Sequence, residues 1–289
     1  MKKITTLAAL LLGLTASITA PLSFAEENLK PYQLANPSSL TLDSVKSGLT
    51  SNGFQIAGSY SPYAGTTIVV ATNDALKKLA SASKFGGYGA MIRVAVTDVN
   101  GQAQTSYVNP QYMKNVYRMK GDMTPIASAL EKAMGKDKSF GSAEGLSASE
   151  LQKYRYMFAM PYFDDQIELA EFDNYQTALS KVEAGLSQGK GIKKVYRIDI
   201  PGKDEAVFGV AITEGEGADK TVMTAIDTGA LRHSAHLPYE VLVSGKNVYM
   251  LSGKFRIAQS FPDLSMGNFM SISAAPDAIE LLLKEQINK

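Results

Sequence analysis

The sequence predicts an α+β fold of two similar domains, each a small, mostly antiparallel sheet backed by helices, the two related by a pseudo-twofold axis. Three observations lead there. Helical and strand patterns follow one another in the same order in both halves, short motifs recur at offsets of 137 to 153 residues, and tight-turn signals separate neighbouring strands.

The elements follow in order. A helix with Val or Leu along one face is expected at residues 42–51 and again at 174–187, each running towards glycine. A strand comes next, Phe54 to Tyr60 or Val195 to Ile200. The second strand, Thr67 to Ala71 or Ala206 to Thr213, is nearly continuous in apolar residues and so reads as central in its sheet. A short helix, Asp74 to Ala82 or Lys220 to Thr228, precedes an alternating third strand, Met91 to Thr97 or Tyr239 to Ser244. Asn100-Gly101 then marks a type I′ hairpin, because both residues tolerate positive φ, and Ser244 to Asn247 occupies the equivalent place. Thr124 reads as the cap of a closing helix with Pro125 at its first position and Ile126, Leu130 and Met134 on one face. The last helix has Pro276 near its start and an apolar stripe of Ile279, Leu282, Leu283 and Ile287.

The recurrence is visible residue by residue. Val45, Gly48, Leu49 and Thr50 return as Val182, Gly185, Leu186 and Ser187, while Met91, Val94 and Val96 return as Pro238, Val241 and Val243. Pro110 with Met113 is matched to Pro262 with Met266, and Pro125 to Pro276. The expected organisation is a leader over 1–25, a first repeat over 26–135, a linker over 136–172 and a second repeat over 173–289. Ser147 and Glu150 form a capping box for a linker helix that Pro161 should end, and the aromatic run Tyr154 to Phe163 should dock that linker between the domains.

Composition excludes several chemistries. With no Cys among 289 residues there is no disulfide scaffold, zinc-cysteine domain, cysteine nucleophile or iron-sulfur centre. Lys+Arg at 29 against Asp+Glu at 28 gives no reason to expect nucleic acid, which needs clustered cations. The N-terminus has the pattern of an export signal: Lys2 and Lys3, an apolar run from Leu7 to Leu14, and Ser23-Phe24-Ala25, with cleavage expected between Ala25 and Glu26. Removing that leader takes two lysines with it, so the remaining acids outnumber the bases by one. A periplasmic or secreted protein without an integral membrane segment is the expectation.

The motifs Asn52-Gly53-Phe54, Leu237-Pro238-Tyr239-Glu240-Val241, Asn109-Pro110-Gln111-Tyr112-Met113 and Phe261-Pro262 resemble those of the bacterial family known as domain of unknown function 302. The resemblance covers most of the chain after the leader, as two tandem copies. It implies a compact sheet backed by helices and single copies that tend to pair, so that a tandem chain looks like a fused dimer. Members often carry a Cys inside the Leu-Pro motif and a Cys-Asn-Pro after the second strand. Here Tyr239 holds the first place, and Ala71-Thr72-Asn73 or Ala211-Ile212-Thr213 the second, so no thiol chemistry carries over.

Few residues point to chemistry. The two histidines, His233 and His236, sit three apart before Leu237-Pro238, and with Tyr239 they are the candidate ligand-binding residues. Two imidazoles at that spacing suit zinc, copper or nickel, but a site needs a third ligand, for which Asp227, Glu240 or a Met is available. No serine-hydrolase elbow occurs, Gly86-Gly87-Tyr88-Gly89 reads as a turn, and the acidic run Glu214 to Asp219 reads as a solvated loop. Asp164 and Asp165 point apart, and the scattered methionines read as core filler. The function expected is non-enzymatic binding of a small ligand or another exported protein in the groove between the domains, with no cofactor, no assigned catalytic residue, and a monomeric or homodimeric chain. A hydrolase or isomerase using His233 or His236 as general base, or metal binding at the same pair, is the alternative.

Overall fold

In the computed structural model of the protein, residues 28–289 are described; the expected leader and its cleavage point between Ala25 and Glu26 lie outside the described residues. The first sheet contains β1 (Tyr32–Leu34), β2 (Gln55–Tyr63), β3 (Thr66–Thr72), β4 (Ile92–Val99), β5 (Gln102–Val108) and β6 (Ser139–Phe140). The second contains β7 (Ile167–Glu171), β8 (Ile192–Asp199), β9 (Glu205–Ile212), β10 (Tyr239–Ser244) and β11 (Asn247–Met250). Their orders are β2-β3-β4-β5-β1-β6 and β7-β11-β10-β9-β8, and every pairing is antiparallel. Read from β8, the second order places its strands as β2 to β5 and then β1 are placed in the first. The fold is therefore α+β.

Local chemistry accounts for the elements. The apolar runs of β3 and β9 are buried and lie inside their sheets, flanked on both sides. Asn100 and Gly101 both have positive φ and join β4 to β5 in a tight turn, while Gly245 with φ 58° does the same between β10 and β11. Helix α1 (Leu42–Ser51) is capped by Thr41, and α2 (Asp74–Ser81) by Asn73, each side-chain oxygen accepting a backbone N–H of the first turn. Asn109 caps α3 (Pro110–Val116), and α4 (Thr124–Met134) closes the first half. In the second half Asn174 caps α6 (Tyr175–Gln188), preceded by the short linker helix α5 (Ala148–Gln152). The chain ends with α7 (Asp219–Ile226), α8 (Gly253–Ala258), α9 (Met266–Met270) and α10 (Ala275–Ile287).

Four expectations change. Thr124 is the first helical residue rather than the cap, and its N–H donates to Asp122 Oδ1 at 2.9 Å. The linker helix stops at Gln152, well before Pro161, because Tyr154 turns inward and donates to the Ala258 carbonyl at 2.9 Å. Pro262 does not occupy the place of Pro110: Pro110 opens the helix directly after β5, whereas Pro262 follows α8. Asp219 is not solvated, since it opens α7 against β2 and is buried. The aromatic linker docks in part, with Tyr154 and Phe163 buried while Phe158 stays 86% exposed.

The two sheets share one continuous apolar core, so the halves are joined over packed surface and not merely tethered. Edge strands β2 and β8 run side by side. Both are bulged near the approach, β2 between Ile56 and Gly58 and β8 between Lys194 and Tyr196, which interrupts any continuous ladder between them. Gly58 is needed there because a Cβ would stand 2.4 Å from the Val195 carbonyl oxygen. The contacts are exchanged: the 3-10 turn Gly86–Gly89 lies on β9 and β10, and the 3-10 turn Ser234–His236 lies on β3, β4 and β5.

In each half the first helix packs on the closing helix at a glycine. A Cβ on Gly48 would come 2.5 Å from the Ala133 carbonyl oxygen, and one on Gly185 2.3 Å from that of Gln286. Gly48→Ala and Gly185→Ala are each expected to destabilise by about 1–3 kcal/mol through overpacking, measured as the drop in urea-unfolding free energy; a neutral result at both would mean that the helix pairs separate freely.

Candidate functional site

Between the sheets lies a buried polar cluster. Arg93 of β4 and Glu240 of β10 are both buried and form an ion pair. Arg256 of α8 donates through Nε to Glu240 Oε2 at 3.0 Å, through Nη1 to His236 Nδ1 and Ser260 Oγ at 2.8 Å each, and through Nη2 to the carbonyls of His236 and Pro238. A guanidinium has five N–H donors, and all five have acceptors here, which leaves none for a ligand. Burial opposes the charge on Arg256, yet the facing Glu240, aided by Tyr117 and Tyr32, raises its pKa and holds it protonated.

This cluster decides the state of His236. Its ring is fully buried, and burial, followed by the charges of Arg256 and Arg93, pushes its pKa well below the usual imidazole value. Because guanidinium only donates, His236 Nδ1 must accept, so the ring proton sits on Nε2, 3.3 Å from the Tyr239 hydroxyl. His236 and Tyr239 therefore lie in the interior, joined to this cluster. His233 lies apart, stacked on Phe261 with ring centres 4.7 Å apart and tilted against Tyr32 and Phe140. Burial lowers its pKa to about 4, against the backbone of Ser260 and the charge of Asp263. It faces a cavity of about 200 Å³ together with Asp227 and Asp263. Among the described residues no group of three or more His, Cys, Asp or Glu is arranged to hold a metal ion.

A larger groove opens between the halves, with a volume of about 330 Å³. One wall belongs to the first sheet: Tyr63 and Thr66 flank the β2–β3 turn, and Thr97 and Asp98 come from β4. The other wall is the end of α7 and the segment after it, with Met223, Thr224, Asp227, Thr228 and Arg232. Thr66 and Thr97 are register partners across β3 and β4, which places the two side chains on the same face of the sheet. Both hydroxyl oxygens are buried without a hydrogen-bond partner, although Thr66 is close enough to Tyr63 to favour the ionised phenol slightly. That effect is outweighed by burial, which raises the Tyr63 pKa, and the Tyr63 hydroxyl lies 3.2 Å from Ser234 Oγ.

Asp227 ties the groove to the histidine segment. Its Oδ1 accepts the His233 N–H at 2.8 Å and its Oδ2 the Ser234 hydroxyl at 3.4 Å, while Arg232 Nη1 donates to its carbonyl. Burial raises its pKa to about 6, against these bonds and the charge of Arg232. Asp219, the first residue of α7, accepts the Tyr60 hydroxyl at 2.9 Å, and burial raises its pKa to about 7. The structure thus separates the three residues singled out in the sequence: His236 and Tyr239 go to the interior cluster and His233 to the smaller cavity. The groove residues carry no motif, and only the fold brings positions 63–66, 97–98 and 223–232 together.

Comparison with models of protein families, with curated proteins and with solved structures finds no match for this chain.

Two outcomes are expected from the buried charges. Glu240→Gln leaves two buried cations uncompensated and should cost about 3–5 kcal/mol in denaturant unfolding; a loss below 1 kcal/mol would show that the cluster is hydrated. Asp219 keeps its proton in the folded state up to about pH 7, whereas the unfolded chain releases it near 3.8. The stability it contributes is complete below the unfolded value and is lost as pH rises through the folded one. Asp219→Asn should therefore gain on the native protein by about 4 kcal/mol between roughly pH 4 and pH 8, read from paired urea titrations; a pH-independent difference would mean that the carboxyl is not held protonated.

Proposed function

We propose that this chain is an exported, non-enzymatic binding protein that holds a small ligand in the groove between its two halves. The observation that carries this reading is the pair of buried, unpartnered hydroxyls of Thr66 and Thr97 on the groove wall. Buried polar atoms nearly always have a partner, and a concave site with a few convergent polar groups is where a ligand supplies it. The groove volume suits a small molecule better than a protein surface. Catalysis at the histidine pair has little support, because the His236 ring nitrogens and the Arg256 donors are already engaged.

Export is supported by the leader pattern over residues 1–25 and by the absence of cysteine. We further read the halves as tandem copies of one unit, in the manner of the family that the motifs resemble. The like strand orders support this, as do the glycine contacts of Gly48 and Gly185 and the exchanged 3-10 turns. Arg93 and Glu240 stand at matching positions of β4 and β10 and pair with each other, as residues near the axis of a fused dimer would.

Native mass spectrometry of the protein purified from the periplasm or medium tests both parts. A chain beginning at Glu26 with a retained small-molecule mass is expected, and Thr97→Val, which removes one unpaired hydroxyl without changing shape, should lose that mass while unfolding at the native temperature. An uncleaved Met1 start would overturn export. A bare mass, with no thermal shift from a concentrated small-metabolite fraction, would overturn ligand binding.

A further inference from the structure

Two charges line the groove without an ion-pair partner. Neither Arg232 nor Asp98 is within 4.0 Å of an opposite charge among the described residues. They stand on different walls, Asp98 at the end of β4 and Arg232 on the segment after α7. Both are held in place. Asp98 Oδ1 accepts the Gly101 N–H at 2.7 Å, which fixes the carboxylate against the β4–β5 turn. Gln104 of β5 accepts the Arg232 N–H at 2.7 Å and donates to the Ala230 carbonyl at 3.1 Å, clamping the arginine-bearing segment onto the first sheet. One guanidinium nitrogen is anchored on the Asp227 carbonyl, and the others have no partner among the described residues.

We propose that the groove is built for a small zwitterion of the kind of a free α-amino acid, with its carboxylate on Arg232 and the threonine hydroxyls and its ammonium on Asp98. The inference rests on the groove being the ligand site. Asp227, the other carboxylate of the lining, is spoken for by His233 N–H and Ser234 Oγ, which leaves Asp98 as the open anion. The hydroxyls of Thr66, Thr97, Thr224 and Thr228 can donate to a carboxylate or accept from an ammonium. An uncharged polyol would leave both ionic groups unpaired. A simple carboxylate would satisfy Arg232 and face Asp98, and a simple amine would meet the reverse mismatch. Charge-assisted, bidentate pairing to arginine is the stronger and more directional contact, so the carboxylate end should set the pose.

The test uses the leaderless chain, thermal shift to screen the common α-amino acids, and calorimetric titration of the best one. Its N-acetyl and methyl-ester derivatives, acetate, ethylamine, glycerol and glucose are titrated beside it. Expected results are binding of at least one amino acid and a loss of about tenfold or more on blocking either end. Arg232→Gln should weaken the parent comparably and remove the penalty of the ester, while Asp98→Asn should do so for the acetyl derivative. Both side chains are on the groove lining outside the core, and unchanged melting temperatures without ligand would confirm that the variants fold.

Blocked derivatives binding as tightly as the parent would overturn the zwitterion. So would binding of acetate, ethylamine, glycerol or glucose with no response to amino acids; in that case a loss of binding in Thr97→Val would leave the groove standing as the site and sink only its ligand class. No binding by any probe, together with a bare native mass, would overturn the ligand and the groove together.

Discussion

A single carboxylate held between two guanidinium groups in the interior sets the geometry of this molecule. Glu240 of β10 meets Arg93 from the other sheet and Arg256 from α8, all three buried. Charges removed from water are costly unless their remaining hydrogen-bonding capacity is met, and the five acceptors around Arg256 meet it there. The apolar core would tolerate some sliding of one sheet on the other, because hydrophobic contact is not directional. Ion pairs and hydrogen bonds at fixed angles do not, so the cluster defines one placement of the two halves.

That placement reaches the groove through a short chain of contacts. Arg256 takes His236 Nδ1 and its carbonyl, which positions the 3-10 turn Ser234–His236 on the first sheet. Ser234 in that turn lies between the Tyr63 hydroxyl and Asp227, and Asp227 holds Arg232 through its carbonyl. Gln104 closes the arrangement from the side of the first sheet. The groove walls are thus tied together at Ser234, Asp227 and Gln104, which would suit the proposed ligand, since ordering loose side chains would consume binding energy. The opposed titrations nearby follow from the same burial. It keeps the imidazole of His233 neutral and lifts the carboxyls of Asp219 and Asp227, so that this region carries less charge near neutral pH than its residues would in water.

Much of the scaffold was legible in the chain. The turns at Asn100-Gly101 and Gly245, the central strands β3 and β9, the capping box at Ser147 and Glu150, and the stripes of α4 and α10 all rest on local rules that tertiary contacts left intact. Short pieces escaped. β1, β6 and β7 pair only with strands distant in sequence, and α3, α8 and α9 are too brief to show a period. The paired histidines drew attention as a local cluster, yet their spacing said nothing about Arg256, twenty residues on, which determines what His236 does.

The sequence by itself determined the α+β class, the order of most elements and the lack of thiol chemistry, because periodicity, turn residues and composition act within a few residues of each other. Only the tertiary structure decided that Arg93 and Glu240 pair across the sheets, that Asp219 is buried, and that Thr66, Thr97, Asp98 and Arg232 line one groove. Those outcomes depend on burial and on contacts between residues more than a hundred positions apart. Local pattern carries no information about either, since the same threonine or aspartate reads alike in a solvated turn and on the wall of a groove.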